Sequence, residues 1–197
     1  MSFDINTLGL TPRDHRFWAG TYNIDSYSDW NTELNGERVA AYRFGFGRPF
    51  RTTPSVRLFI SGLTFNDPGS FSSSSWADDV NTDGFTLRVK VGNGRAGMAM
   101  SIRWIAHDPN ESTVRSGVIE HDSDVWEESI DGTIRFDPPF TTGTPSVLAT
   151  GIAGFDFELP QCYIQEANVS SKGFDFVAGS SRHSRMKHGR WSWLAIA

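Results

Sequence analysis

A single cysteine, Cys162, stands among 197 residues. This excludes an intramolecular disulfide and a cysteine-based metal cluster. No run of about 18 consecutive apolar residues occurs, so there is no candidate membrane-spanning helix. Positive charge is also short: 18 Lys and Arg face 23 Asp and Glu, a formal net charge of −5. A general nucleic-acid or anionic-membrane binder gains affinity by neutralising phosphates, and this balance argues against both. The opening stretch MSFDINTLGLTPRDHRF lacks the basic start and apolar core of a signal peptide. The expected location is therefore cytoplasmic, or exported without a conventional signal. No long window carries helical periodicity, and no Gly-x-Ser-x-Gly elbow or Cys/His/Asn setting is present. Adjacent carboxylates such as Asp78-Asp79 and Glu127-Glu128 would point to opposite faces of a strand, a poor geometry for a glycosidase pair. The expectation is a protein without catalytic activity, cofactor or metal.

What the chain has in quantity is short runs of β-branched and aromatic residues between Gly, Ser, Asn and Pro turns, an all-β pattern. It also repeats itself. AGTYNIDSYSDW, RFGFGRPFRTTPSVRLFISGL and TDGFTLRVKVGNGRAGMAMSIRWIA in the first half answer to SGVIEHDSDVW, IRFDPPFTTGTPSVLATGIAGF and SKGFDFVAGSSRHSRMKHGRWSWLAIA in the second. Gly20 matches Gly117, Trp30 matches Trp126, Pro49-Phe50 matches Pro139-Phe140, Gly84-Phe85 matches Gly173-Phe174 and Trp104 matches Trp193. Landmarks recurring in one order indicate duplication. The reading is two tandem six-stranded antiparallel β-sandwiches. An N-terminal arm over 1–18 precedes a first repeat over 19–106, a polar linker over 107–115 and a second repeat over 116–197. TLRVKV, MAMSIRWIA and GRWSWLAIA alternate as half-buried strands do, whereas SVRLFISGL and SVLATGIAG are more continuous and are expected to lie between neighbours. FSSSSW (71–76) reads either as a mobile loop exposing Trp76 or as core.

The landmarks resemble the H-type lectin family, that of the snail albumen agglutinins and the discoidin C-terminal domains. The residues that carry the resemblance are Ser116-Gly117, Trp126, Ile134-Arg135-Phe136, Pro139-Phe140, Pro145-Ser146-Val147, Gly173-Phe174 and Ser192-Trp193-Leu194-Ala195, with counterparts in the first half. The resemblance implies trimeric association and binding of galactose or N-acetylgalactosamine-type sugars. The partners would be glycans on glycoproteins or glycolipids. In the family the sugar is held largely by the loop before the last strand, by an arginine from a neighbouring subunit and by an aspartate after the first Trp. The loop positions fall on Ser181, Arg182, His183 and Ser184 with Lys187, and in the first repeat on Gly92, Asn93, Gly94 and Arg95 with Met98. The arginine position falls on Gln161 and Ser72. Asn35 or Glu37 stands near the aspartate position in the first repeat, and Glu127, Glu128 or Asp131 in the second. Neither loop carries the family's Trp.

The second of these loops opens SSRHSRMKHGRW (180–191), in which six of twelve residues are Arg, Lys or His. Ser181, Arg182, His183 and Arg185 supply hydrogen-bond donors that suit an acidic glycan, but no aromatic plate. The alternative is a solvated hairpin followed by the outer face of a strand, with Lys187 and Arg190 facing water. His183 and His188 are the one candidate base and partner. GNGRAG, with Asn93 and Arg95, reads as a tight hairpin turn or as a second ligand loop. DVNTDG (79–84) begins like a calcium loop, yet Lys90 occupies the place of its bidentate Glu, and Asp79–Asp83 reads better as a hairpin turn. The rival to the lectin reading is a structural or protein-interaction sandwich that has lost its sugar site.

Overall fold

The computed structural model describes residues 17–24, 31–32, 38–64, 71–92, 99–157, 162–180 and 184–197. Every regular element among them is a strand, and the chain divides into two compact units. The first runs to Glu111 and the second from Ser112, except that 69–72 group with the second.

In the first unit β1 (Phe17–Ile24) and β4 (Ser55–Thr64) flank β7 (Ala99–His107), all antiparallel. The opposing sheet runs β2 (Asn31–Thr32), β3 (Arg38–Gly45), β6 (Gly84–Val91), β5 (Phe71–Asn81). Strand β6 shows why these residues make a sandwich. Phe85, Leu87, Val89 and Val91 are fully buried, while Thr86, Arg88 and Lys90 point outward. That is period-2 alternation with one face on a core. Phe85 meets Trp104 edge-on at 5.1 Å between centroids, and Phe44 meets it at 5.8 Å, so the rings of one sheet close on the other.

The second unit repeats the plan. Strands β8 (Val114–Glu127) and β10 (Val147–Phe157) flank β13 (Met186–Ile196), and β12 (Gly173–Ser180) lies between β9 (Ser129–Arg135) and β11 (Cys162–Ser170). The landmarks sit at equivalent places. Gly20 pairs with Trp104 and Gly117 with Trp193, and each indole lies flat across its glycine. The β5–β6 and β11–β12 turns dock on matching segments. The Asp83 and Thr82 carbonyls accept from the N–H of Phe46 and Phe50, as Lys172 and Ser171 accept from Phe136 and Phe140. Asp79 and Asn168 each take a left-handed backbone (φ 49° and 51°) inside the bulge before these turns. The second aromatic cluster, Phe136, Phe140, Phe174 and Trp193, reproduces the first, Phe46, Phe50, Phe85 and Trp104.

One open alternative is resolved, and other local expectations are revised. FSSSSW is strand rather than mobile loop: Ser73 and Ser75 are buried, and Trp76 is half-buried on β5. Small side chains there let the strand sit close to the core. SVRLFISGL forms the edge strand β4, and the final strand β7 takes the centre instead. Strand β13 loses its alternation, since Trp191 through Ala195 are all buried. Phe17 and Trp18, assigned to the arm, already pair with His107 and Ala106 in β1, and Trp18 packs across Gly47.

Candidate functional site

The expected ligand loop of the second unit joins β12 to β13. Its base is tightly fixed. The Ser180 N–H donates to the Glu128 carbonyl at 3.0 Å, and the buried Ser180 hydroxyl donates to the carbonyl of buried Ser184. Cys162, the residue after Gln161, is paired with Ser180, the residue before Ser181. The β10–β11 and β12–β13 connections therefore leave the sandwich side by side. The end of β8 joins them, because Glu127 pairs with Met186 across a bulge.

Arg185 and Lys187 are the two expected site residues that can be placed. Arg185 is exposed on the return of the loop, next to fully buried Met186. The Lys187 ammonium stands 5.4 Å from the centroid of the Trp126 ring. Ser181, Arg182, His183, Gln161, Asn93 and Arg95 lie outside the described residues, as do Asn35, Glu37 and Met98. In the first repeat, Ser72 is half-buried on β5.

The basic strand half of SSRHSRMKHGRW is neutralised by β8. Register sets His188 opposite Asp122 and Arg190 opposite Glu120. The His188 Nδ1 lies 2.8 Å from Asp122 Oδ1, and the Arg190 Nε lies 3.2 Å from Glu120 Oε1. Opposite charges directly across an antiparallel pair stabilise it, which is reason enough for these residues on an outer face. His188 is thus a cross-strand partner, with its ring half-exposed among acids. The alternative reading of Arg190 as a residue facing water is correct in position, with an acid beside it.

Trp126 enters the sequence reading only as a repeated landmark, and it differs in position from Trp104 and Trp193, which are buried. It is half-exposed at the end of β8, next to Val125, which is 67% exposed. Its neighbours hold it there. Ser123 Oγ accepts the Val125 N–H at 3.1 Å and donates to Glu127 Oε1 at 3.1 Å. The other Glu127 oxygen lies 3.9 Å from His121 Nε2. Glu127 is thus turned toward Ser123 and His121. The signal in sequence was the acidic flank DSDVWEE, since a tryptophan inside such a run seldom has a buried strand position.

At the calcium-like stretch Asp79–Asp83, Asn81 Oδ1 accepts the N–H groups of Asp83 and Gly84, at 2.9 and 3.1 Å. The Arg43 guanidinium donates to the Asp79 carbonyl and to the same Asn81 oxygen. These acceptors serve a hairpin turn. Among the described residues no group of three or more His, Cys, Asp or Glu is placed to hold a metal ion.

Burial pushes the Cys162 thiol, paired with Ser180 at the base of this loop, up to about 11; other displaced groups lie farther off. Burial at the end of β7 lowers the pKa of His107 against the pull of its bond to Asp108. Its Nδ1–H donates to the Asp108 carbonyl at 3.0 Å. The Asp108 carboxylate is itself lowered by the Asn110 N–H, with Thr52 adding a bond. Burial raises Glu166, which accepts from the Thr150 hydroxyl. His107, Asp108 and Glu166 do not adjoin the β12–β13 loop, and they form no acid–base pair with Cys162.

Residues 41–107, about a third of the chain, match the H-type lectin domain. The match runs from β3 to the end of β7 in the first unit. No curated protein sequence matches the chain.

Proposed function

We propose, for a chain that carries an H-type lectin domain, that it is a non-catalytic lectin whose two units each present a sugar site at the end of the sandwich where the last hairpin loop emerges. The H-type lectin match is the observation that carries the reading. The second unit enters through its geometry: the same strand order, the same glycine–tryptophan crossing and the same docked turns as the first. Arg182 and His183, with Ser181, Arg185 and Lys187, donate to sugar hydroxyls in the second unit, and Gln161 is donated to the site of a neighbouring subunit. Asn93 and Arg95 are the counterparts in the first. The sugars are galactose or N-acetylgalactosamine-type, or acidic glycans, on glycoproteins or glycolipids. Each site is weak alone, and homotrimeric association multiplies the sites so that avidity exceeds single-site affinity.

A glycan array read with the full chain tests this. Binding to a galactose-type or acidic glycan that Arg182→Ala or His183→Ala abolishes supports the reading. The rival, a sandwich that serves protein interaction, is favoured by one observation: His188 and Arg190 are committed to Asp122 and Glu120 and are not free for a ligand. An array on which the wild-type chain binds no glycan, while remaining folded and oligomeric, establishes the rival.

A further inference from the structure

Trp191, Trp193 and Trp104 are buried. Trp126 differs from these three. It is half-exposed, it sits on a strand end fixed by the Ser123–Glu127 bond, and a lysine ammonium rests 5.4 Å from its ring centroid. A sugar site needs a flat apolar surface for the C–H face of a pyranose and a few placed donors for its substituents. The β12–β13 loop has donors in its sequence and no such surface. Trp126, carried by the neighbouring strand, provides one.

We propose that Trp126 is the stacking plate of the second unit and that Lys187 makes this plate selective for pyranosides bearing a carboxylate or sulfate. The inference rests on the carbohydrate-binding reading above. Without ligand, the ammonium covers the ring, an attraction modest at a partly exposed site. A pyranose replaces it on the ring face. The lysine stem stays anchored, because Met186 before it is fully buried and His188 after it is paired with Asp122. The displaced ammonium therefore remains at the rim of the plate with three donors for an anionic substituent. Glu127 does not oppose this strongly, since its carboxylate is turned to Ser123 and His121.

The first repeat provides an internal comparison. Counting back from Trp104 as from Trp193, the residue matching Lys187 is Met98, while Trp30 matches Trp126. The plate residue is kept and the charge is not. Selectivity for acidic sugars belongs to the second unit alone.

The test follows the Trp126 indole N–H resonance in the full chain, assigned as the one absent in Trp126→Phe. Galactose 3-sulfate and sialyllactose are titrated against neutral methyl β-galactoside. In wild type both anionic sugars move this resonance, at lower concentration than the neutral sugar. Lys187→Met weakens the anionic titrations about tenfold, the loss of a charge-assisted bond, and the neutral one by less, so that the anionic preference is lost. Trp126→Phe keeps a smaller plate and retains anionic binding on an array, whereas Trp126→Ala loses the part that Lys187→Met weakens. If the sugars bind elsewhere and leave the Trp126 resonance unmoved, or if Lys187→Met leaves the anionic preference intact, the plate is refuted and the lectin reading stands. If no glycan binds the wild-type chain at all, both fall together.

Discussion

Replacing Gly117 by alanine is the sharpest test of how each sandwich is locked. A Cβ at Gly117 would lie 2.6 Å from Trp193 Cζ2 and 2.7 Å from Cε2. Carbon atoms pack at about 3.5–4.0 Å, so the ring must retreat by about 1 Å. It has little room to do so. Trp193 is 7% exposed, and Phe136 and Phe174 each stand 5.7 Å from it between centroids. Overpacking of this kind costs about 1–3 kcal/mol. Alanine in extended backbone recovers about 0.4–1 kcal/mol through the unfolded chain. The net expectation for Gly117→Ala is a loss of about 1–2 kcal/mol, within those same ranges. Trp193→Phe removes the clashing edge and an indole N–H that makes no hydrogen bond in the core. The double variant should therefore be more stable than the sum of the singles by about 1 kcal/mol, as coupled neighbours are. Urea unfolding read by far-ultraviolet circular dichroism measures the cycle, and Gly20→Ala with Trp104→Phe repeats it in the first unit. A Gly117→Ala variant as stable as wild type, or strict additivity in the cycle, would refute the reasoning.

Two other outcomes follow from the charged groups. His107 is 3% exposed and its pKa lies below the ordinary 6.5, so the unfolded chain takes up its proton first. Stability is therefore full above about pH 6.5 and falls as pH drops toward the folded-state value. His107→Gln keeps a donor for Asp108 and should flatten that part of the pH–stability curve measured by denaturant unfolding. An unchanged slope would assign the acid sensitivity to other groups. Arg190→Ala and His188→Ala break partly exposed pairs with Glu120 and Asp122. Each should change stability by less than about 1 kcal/mol and leave glycan binding as in wild type. Lost binding in either variant would show that the outer face of β13 belongs to the site.

The duplication and the all-β class were legible because they depend on local signals: Gly and Pro at turns, alternation along β6, and tryptophans at fixed distances from Gly-Phe. Those residues must be what they are for the chain to cross itself closely. Gly117 has no space for a side chain, and Phe46 and Phe136 must meet the same turn. The strand order was less legible. SVRLFISGL looks central by composition, yet β4 takes an edge, because burial depends on which strand the others flank. FSSSSW illustrates the same limit, since a serine run carries no hydrophobic period even when Ser73 and Ser75 face inward.

By itself, the sequence determined the fold class, since alternation and turn residues are written close along the chain. Only the tertiary structure decided how the strand half of SSRHSRMKHGRW is partnered. Antiparallel register brings Glu120 and Asp122 opposite Arg190 and His188, from more than 60 residues away. The bulge between Met186 and His188 brings Lys187 over Trp126. Charges adjacent along β13 find partners across strands, because pairing depends on register and not on order along the chain.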